Sequence, residues 1–170
     1  MDRSIIAICY QLMKRAHYGQ VDKSGRKYMW HPLTVAHNVY LYFARYLSED
    51  EYTIAICTAY LHDVLEDCEY YTQEKLLEEE VPFEIVSRVQ ILTRGEDESY
   101  MNFIRRCNDD KITRIVKMCD LYHNMDLTRL DKITDEDLQR VKKYHKAYKY
   151  LENTDNQELN ELGIPDISNW

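Results

Sequence analysis

The sequence predicts an all-α protein built as a single domain, and three observations support this class. Only 4 Gly and 3 Pro occur in 170 residues, so the residue types that interrupt helices are scarce. Apolar residues recur at spacings of three and four along most of the chain, which is the period of a helix with one buried face. No pair of alternating segments joined by a hairpin turn is present in the sequence. The length is that of one ordinary globular domain.

The first predicted helix begins near Ile5 and ends near His17, because its apolar residues share one face. A polar loop follows at 18–30 and contains glycines, a serine and several basic side chains. The second helix begins at His31, with a proline in its first turn, and runs to about Leu47. The loop is therefore the most distinctive irregular segment of the predicted fold.

The third predicted helix starts after Ser48-Glu49-Asp50 and continues to Leu65. From Ile54 onward it is apolar on every side apart from three polar residues. A helix that is apolar all round packs against neighbours on all its faces. We therefore expect this helix to be the most buried one.

Further helices are predicted in the rest of the chain, and the last of them is introduced by residues 134–137, which resemble a capping box. The predicted ranges are about 73–80, 83–92, 100–107, 112–122 and 134–151. We expect residues 1–151 to form the domain and residues 152–170 to form a polar C-terminal tail. Gly163 and Pro165 predict that this tail is irregular.

Composition and charge exclude several classes of protein. With 45% hydrophobic and 31% charged residues, the chain is neither collagen-like, low-complexity nor wholly disordered. No apolar run approaches the roughly 18 residues of a membrane span, and no signal-peptide cleavage site follows the N-terminus, so we expect a cytoplasmic protein. A net charge of −8 argues against DNA or RNA as a partner, since neutralising phosphates takes clustered basic residues.

The five cysteines are odd in number, scattered, and set in apolar helical patterns, and no CxxC pair is present. We therefore expect them to be reduced core residues rather than disulfide or zinc-binding residues.

An ionisable pair, His62 and Asp63, lies within the helix that should be most buried. Such a pair costs several kcal/mol unless it is paired or binds a metal ion. Glu66 falls one turn beyond His62 and Asp67 one turn beyond Asp63, so the four ionisable side chains stack along neighbouring stripes of one helix and three of them are carboxylates. A divalent cation is the usual way to hold such carboxylates together.

Two residues from other predicted helices could complete a metal site. Asp120 lies beside the apolar face of a later helix, and His31 begins the helix that follows the polar loop. Two imidazoles and two carboxylates form a mixed nitrogen and oxygen site, which suits Mn, Fe or Zn better than Ca.

These residues carry a resemblance to a known family. His31, His62-Asp63 and Asp120 match the His…His-Asp…Asp signature of the HD-domain metal-dependent phosphohydrolases. More narrowly, residues 16–130 resemble the hydrolase domain of the RelA/SpoT alarmone enzymes and their stand-alone small relatives. The matching motifs are AHYGQ (16–20), KSG (23–25), Tyr28, HP (31–32), LHDVLED (61–67) and KMCDLYHN (117–124).

The resemblance implies an HD-type helical bundle that holds one Mn²⁺ per chain, with Fe, Zn or another divalent metal possible. It implies removal of pyrophosphate from the 3′ position of guanosine tetra- or pentaphosphate by an activated water. By the same resemblance, the metal ligands would be His31, His62, Asp63 and Asp120. Glu66 and Asp67 would position or deprotonate the water and serve as acid or base. Lys23, Ser24 and Asn124 would contact the nucleotide.

The chain departs from the family pattern at three positions. Asp22 stands where the alarmone hydrolases carry an arginine that packs on the guanine, Lys27 replaces a loop proline, and Asp126 replaces an arginine. If the loop holds the base as in the family, Asp22→Arg should tighten guanosine tetraphosphate binding through a cation–π contact of about 0.5 to 2 kcal/mol.

Three interpretations follow from these observations. The first is the alarmone hydrolase. The second is a phosphohydrolase of another nucleotide or dinucleotide phosphate, which Asp22 favours. The third is a catalytically inactive nucleotide-binding regulator, against which the intact ligand set counts. Of the remaining histidines, His17 is expected to bond within the loop, and His123 is expected to point away from the ligands.

Overall fold

The computed structural model describes the backbone of residues 2–161 and the side chains of residues 2–154. Within this part of the chain the structure is helical, and β-structure is limited to an isolated bridge between Val21 and Lys27. The all-α class is therefore confirmed. The α-helices are α1 (Ser4–Ala16), α2 (Trp30–Phe43), α3 (Glu49–Leu61), α4 (Val64–Asp67), α5 (Gln73–Glu78), α6 (Phe83–Leu92), α7 (Tyr100–Asn108), α8 (Lys111–Asn124) and α9 (Asp135–Glu161).

The centre of the fold is α3, which packs against α1, α2, α6 and α8. Its residues belong to both hydrophobic clusters of the core, one built mainly with α2, α7, α8 and α9 and the other with α1, α5 and α6. The prediction that this helix is buried on all sides is confirmed. Contact on every face explains why its sequence shows no polar stripe.

The third predicted helix is interrupted at a point that no change in the sequence pattern marks. It ends at Leu61, and Asp63 has φ −99° and ψ −4°, outside regular helical geometry, before the short helix α4 begins at Val64. The prediction of one continuous helix to Leu65 is therefore wrong. His62 and Asp63 lie in the turn between α3 and α4, where their side chains are free of the regular helical spacing.

The second predicted helix is also shorter than expected. It ends at Phe43, and a 3₁₀ turn at Ala44–Tyr46 precedes the extended residue Leu47. The next helix begins with a capping box, in which the Ser48 hydroxyl accepts from the Glu51 N–H and the Glu51 carboxylate accepts from the Ser48 N–H.

The last helix begins as predicted, since the Thr134 hydroxyl accepts a hydrogen bond from the Asp137 N–H and the Asp137 carboxylate accepts one from the Thr134 N–H. It continues to Glu161, so the first ten residues of the segment expected to be a tail are helical. Gly163 and Pro165 lie outside the described residues.

The cysteines behave as core residues, as the sequence predicts. Cys9, Cys57, Cys107 and Cys119 are buried, Cys68 is half-buried, and all five are free thiols. Over residues 2–161, no helix combines the length and the apolar character that crossing a bilayer requires.

Candidate metal centre and active site

Four side chains predicted as metal ligands converge from three parts of the fold. The first turn of α2 carries His31, the turn between α3 and α4 carries His62 and Asp63, and α8 carries Asp120. The Nε2 atom of His31 lies 3.2 Å from Nε2 of His62, 3.3 Å from Oδ2 of Asp63 and 3.1 Å from Oδ1 of Asp120. The His62 Nε2 atom lies 3.1 Å from Oδ2 of Asp63 and 3.8 Å from Oδ1 of Asp120.

Hydrogen bonds on the far side of each imidazole orient the histidines. Nδ1 of His62 donates to the carbonyl oxygen of Ala59 at 2.9 Å. Nδ1 of His31 lies 2.6 Å from Nδ1 of His123. Burial and the charge of His31 lower the pKa of His123 to about 4, so His123 is neutral near pH 7 and accepts this proton. Both Nε2 atoms therefore point into the cluster, as in metal sites where an outer partner fixes the tautomer.

The two carboxylates are held by partners of their own. The Tyr28 hydroxyl donates to Oδ2 of Asp63 at 2.6 Å. Asp120 accepts from Nζ of Lys117 at 2.7 Å and from Nδ2 of Asn124 at 2.5 Å. Sequence reasoning gave no role to Tyr28, Lys117 or His123, and it wrongly expected His123 to point away from the ligands. The signal for Lys117 was a charged residue within a buried stretch of α8, three residues before a predicted ligand.

The pKa shifts show that the cluster favours positive charge. Burial lowers the pKa of an imidazole, but the charge of Asp63 and hydrogen bonding with both carboxylates outweigh it and raise the pKa of His62 to about 10. The same balance raises the pKa of His31. Burial would raise the pKa of Asp63 and Asp120, yet the charges of His62 and Lys117 respectively hold both well below the ordinary range.

The donor set fits a divalent transition metal. One nitrogen each from His31 and His62 and one oxygen from Asp63 lie within 4.8 Å of one another, and Oδ1 of Asp120 lies 3.1 Å from Nε2 of His31. Two buried imidazoles whose Nε2 atoms face the cluster and two ionised carboxylates are the ligand types expected for Mn, Fe or Zn, and metal binding would displace the proton from each Nε2 atom. The potential that draws protons to the imidazoles would favour a metal cation in the same way.

A cleft of about 280 Å³ opens beside the cluster. Its polar lining includes both residues predicted to act on the water, Glu66 and Asp67, together with three of the four predicted ligands, His31, Asp63 and Asp120. The remaining lining residues are Tyr28, Arg94, Tyr100, Phe103, Lys117, Leu121, Asn124, Lys143 and Tyr144. The carboxylates predicted as acid and base thus share one solvent-accessible space with three of the predicted ligands.

The two cleft carboxylates on α4 have different partners. Burial raises the pKa of Glu66, and the charge of Asp63 adds to this effect, while a hydrogen bond of 3.4 Å from the Arg94 N–H opposes it. Oδ2 of Asp67 accepts from Nε2 of Gln20 at 3.0 Å. A carboxyl group with a raised pKa is a stronger proton acceptor near neutrality than an ordinary one.

The loop at 18–30 is folded around the carboxylate of Asp22. Oδ1 of Asp22 accepts from the N–H of Ser24 at 2.8 Å, from its hydroxyl at 2.7 Å and from the N–H of Arg26 at 3.0 Å. Lys23 is exposed. Lys23 and Ser24 are not among the residues that line the cleft, whereas Asn124 is.

Two hydrogen bonds connect the loop to the cleft. His17 bonds within the loop as predicted, with Nδ1 at 2.7 Å from Oε1 of Gln20. Gln20 in turn reaches Asp67, and Tyr28 at the other end of the loop reaches Asp63. The two ends of the loop therefore contact the cleft carboxylates, Gln20 at Asp67 and Tyr28 at Asp63.

Comparison with known proteins adds two similar sequences. Both are named guanosine-3′,5′-bis(diphosphate) 3′-pyrophosphohydrolase. The protein of Borreliella burgdorferi is 30% identical over 136 residues, which is 73% of this chain and 19% of that protein. The protein of Haemophilus influenzae is 35% identical over 124 residues, which is 67% of this chain and 17% of that protein. The chain thus spans less than a fifth of the length of these relatives. No family model matches the chain.

A solved structure shares the fold. It belongs to a metazoan ortholog of SpoT described as hydrolysing ppGpp and acting in starvation responses, and it superimposes with a TM-score of 0.65 at 19% identity over 89% of this chain and 85% of that one. The resemblance predicted from the sequence motifs is confirmed: the chain is similar over most of its length to part of the ppGpp 3′-pyrophosphohydrolases, and it has the helical fold of a SpoT ortholog.

Proposed function

We propose that the protein is a metal-dependent phosphohydrolase that removes the 3′-pyrophosphate from guanosine 3′,5′-bis(diphosphate), ppGpp. Hydrolysis of the 3′ ester consumes one water and yields GDP and pyrophosphate. The observation that carries this proposal is the convergence of His31, His62, Asp63 and Asp120 beside the cleft that Glu66 and Asp67 line. The names of the similar proteins indicate the substrate.

The four ligand residues would hold the metal through nitrogen and oxygen atoms that already face one another. A bound divalent metal would supply a water of lowered pKa and charge to offset the phosphates. Mn²⁺ is our first candidate, and Fe and Zn are compatible with the same donors.

The remaining cleft residues perform the proton transfer and the positioning. Glu66 accepts the proton of the attacking water, because burial and the neighbouring charge of Asp63 raise its pKa. Asp67, held by Gln20, orients that water. Asn124 keeps the Asp120 carboxylate in place, and its position in the cleft lining allows a contact to the nucleotide.

A substrate panel with separate product measurements tests the proposal. The purified chain would be loaded with Mn²⁺ and incubated with ppGpp, GTP, GDP and dinucleotide polyphosphates, and released pyrophosphate and phosphate would be measured separately. We expect GDP and pyrophosphate in equal amounts from ppGpp. Hydrolysis of another nucleotide in preference to ppGpp would favour the second interpretation.

One specific observation supports that second interpretation. Asp22 supplies no cation for stacking on guanine, since its Oδ1 atom is bonded within the loop and its Oδ2 atom lies 3.7 Å from Nη1 of Arg129. A phosphohydrolase of another nucleotide or dinucleotide phosphate would keep the same metal chemistry and lose only the base preference. The third interpretation, an inactive nucleotide-binding regulator, would require no product from any substrate of the panel.

The predictions about organisation and location remain predictions. These are the division into residues 1–151 and 152–170, the cytoplasmic location, and the absence of DNA, RNA and membranes among the partners. The proposed partner is a small nucleotide polyphosphate.

A further inference from the structure

The cleft contains basic side chains that the proposed chemistry does not use. Arg94 precedes α7 in the chain, Lys117 lies on α8, and Lys143 lies on α9, and all three line the cleft. Lys117 is neutralised by Asp120 at 2.7 Å. Arg94 and Lys143 have no carboxylate within ion-pair distance among the side chains of residues 2–154.

Lys143 is held in the cleft by aromatic rings rather than by an acid. Its Nζ atom lies 4.6 Å from the ring centre of Tyr100 and 5.2 Å from that of Tyr144. These cation–π contacts orient the ammonium without cancelling its charge. Burial lowers the pKa of Lys143, and the charges of Arg94, Arg140 and Lys117 lower it further.

Arg94 is held in place by contacts within the segment that precedes α7 and by a contact to α4. Its Nε atom donates to the carbonyl oxygen of Glu98 at 2.8 Å, and its backbone N–H points to Oε2 of Glu66 at 3.4 Å. The bond to Glu98 fixes the guanidinium, and the backbone of Arg94 lies beside the carboxylate that we assign as the base. A guanidinium presents several donors in one plane, which matches the oxygens of a phosphate.

A third group in this part of the cleft lacks a partner. The hydroxyl oxygen of Tyr100 is buried and has no hydrogen-bond partner. Burial raises the pKa of Tyr100, so the hydroxyl keeps its proton and can donate it. Buried polar groups without partners are rare and costly in folded proteins, and a ligand oxygen is one way to satisfy them.

We propose that Arg94, Lys143 and Tyr100 form a diphosphate subsite, which binds the pyrophosphate group of the substrate and holds it as inorganic pyrophosphate after cleavage. The identification of the bound pyrophosphate as the leaving group rests on the proposed function. Two uncompensated cations on different elements suit a ligand with two charged groups better than a single phosphate or a neutral base. The subsite lies in the same cleft as the proposed metal ligands, so the leaving group stays beside the scissile bond.

Direct binding of inorganic pyrophosphate tests the subsite without requiring hydrolysis. Calorimetric titration of pyrophosphate into the full chain would be compared for the parent, Lys143→Ala, Arg94→Ala and Lys142→Ala. Lys142 is an exposed lysine on the same helix that does not line the cleft, so it controls for overall charge. We expect Kd to rise about tenfold for each cleft variant, as for the loss of one charge-assisted hydrogen bond, and less than twofold for Lys142→Ala.

Two further variants separate the subsite from general electrostatics. Lys143→Arg retains the charge and should recover most of the affinity. Tyr100→Phe removes only the hydroxyl and should raise Kd severalfold with no fall in melting temperature, because the group is unpaired in the free protein. If the two cleft variants bind pyrophosphate as tightly as Lys142→Ala does, the subsite is refuted.

The same variants distinguish failure of the subsite from failure of the proposed function. Hydrolysis of ppGpp with parental KM in Lys143→Ala and Arg94→Ala would overturn the subsite and leave the hydrolase proposal standing. Pyrophosphate binding that depends on Lys143 and Arg94, in a protein that releases no pyrophosphate from ppGpp, would support the subsite and overturn the hydrolase proposal.

Discussion

The ligand cluster and the loop at 18–30 adjoin the same cleft, yet the charges in them are arranged in different ways. In the cluster, His31, His62 and Asp63 point their donor atoms at one another, and each has an outer partner. In the loop, the Asp22 carboxylate is bonded to the loop's own backbone, and the basic residues Lys23 and Arg26 are exposed.

Burial explains the difference between the two regions. A charge inside the protein costs several kcal/mol unless it is paired, so a buried His-Asp pair restricts what can surround it. A charge in an exposed loop is screened by water and salt, so local hydrogen bonds decide where the charged side chain points. The surroundings of a side chain in the buried cluster therefore restrict its chemical role more than those of a side chain in the loop do.

Removing a ligand is the strongest way to test the cluster. His62→Ala and Asp120→Ala should each abolish metal retention and hydrolysis, because the remaining donors no longer surround a cation. They should also lower stability by roughly 3–5 kcal/mol, since a buried charge loses its partner. Elemental analysis and thermal melts measure both effects.

A histidine on the same helix as a ligand provides the control for these variants. His37 is exposed on α2, which also carries His31. His37→Ala should keep the metal content and the activity of the parent. Unchanged metal in His62→Ala would contradict the cluster as a metal site.

Removing the proton acceptor should affect catalysis while leaving the metal in place. Glu66→Gln and Asp67→Asn keep the side-chain shape, and hydrolysis should fall by roughly 10²-fold or more. Glu69→Gln, an exposed position on the same segment, should leave the rate unchanged. Parental rates in both amide variants would show that these carboxylates are structural.

The pH profile should identify Glu66 as the base. Because its pKa is raised from the ordinary 4.5, the ionised form is lost on acidification at a higher pH than for an exposed glutamate. The acid limb of kcat/KM should therefore lie above 4.5, and Glu66→Gln should remove that limb. An acid limb that persists in Glu66→Gln would assign it to another group.

The loop should respond in KM rather than in metal content. Asp22→Ala removes the acceptor of three hydrogen bonds, so KM for ppGpp should rise severalfold and amide exchange across 18–30 should become faster. Asp22→Asn retains one oxygen acceptor and should raise KM less than Asp22→Ala does. Asp22→Arg should weaken binding, contrary to the expectation from the sequence, because the side chain organises the loop. Tighter ppGpp binding by Asp22→Arg would contradict this account.

The smallest expected effect lies in the scaffold, away from both regions. Ser48→Ala removes the cap of α3 and should lower the free energy of unfolding by about 1 kcal/mol, or Tm by roughly 2–4 °C.

The other half of this capping box should make stability depend on pH. The Ser48 backbone and Lys111 lower the pKa of Glu51, so the contribution of Glu51 to stability is complete above its ordinary pKa and is lost as the pH falls through the lowered value. Metal content and KM should not change in Ser48→Ala, and a change in either would show that the α3 cap and the cleft are coupled.

The sequence alone determined the all-α class, most helix positions and the four residues that the structure brings together as a candidate metal site. Helices were predictable because apolar spacing reports directly on which face is buried. The ligands were predictable because His62 and Asp63 lie in an apolar segment, where ionisable side chains need partners, and because the ordered motifs resemble a known family.

Only the tertiary structure decided the features that depend on contacts between distant segments. The break between α3 and α4 places His62 and Asp63 in a turn, and no change of local pattern marks it. The pairing of His123 with His31 and the inward turn of Asp22 depend on side-chain directions that spacing does not encode. Lys143 and Arg94 are 49 positions apart in the sequence, and their common cleft exists because α9 packs against α7 and α8.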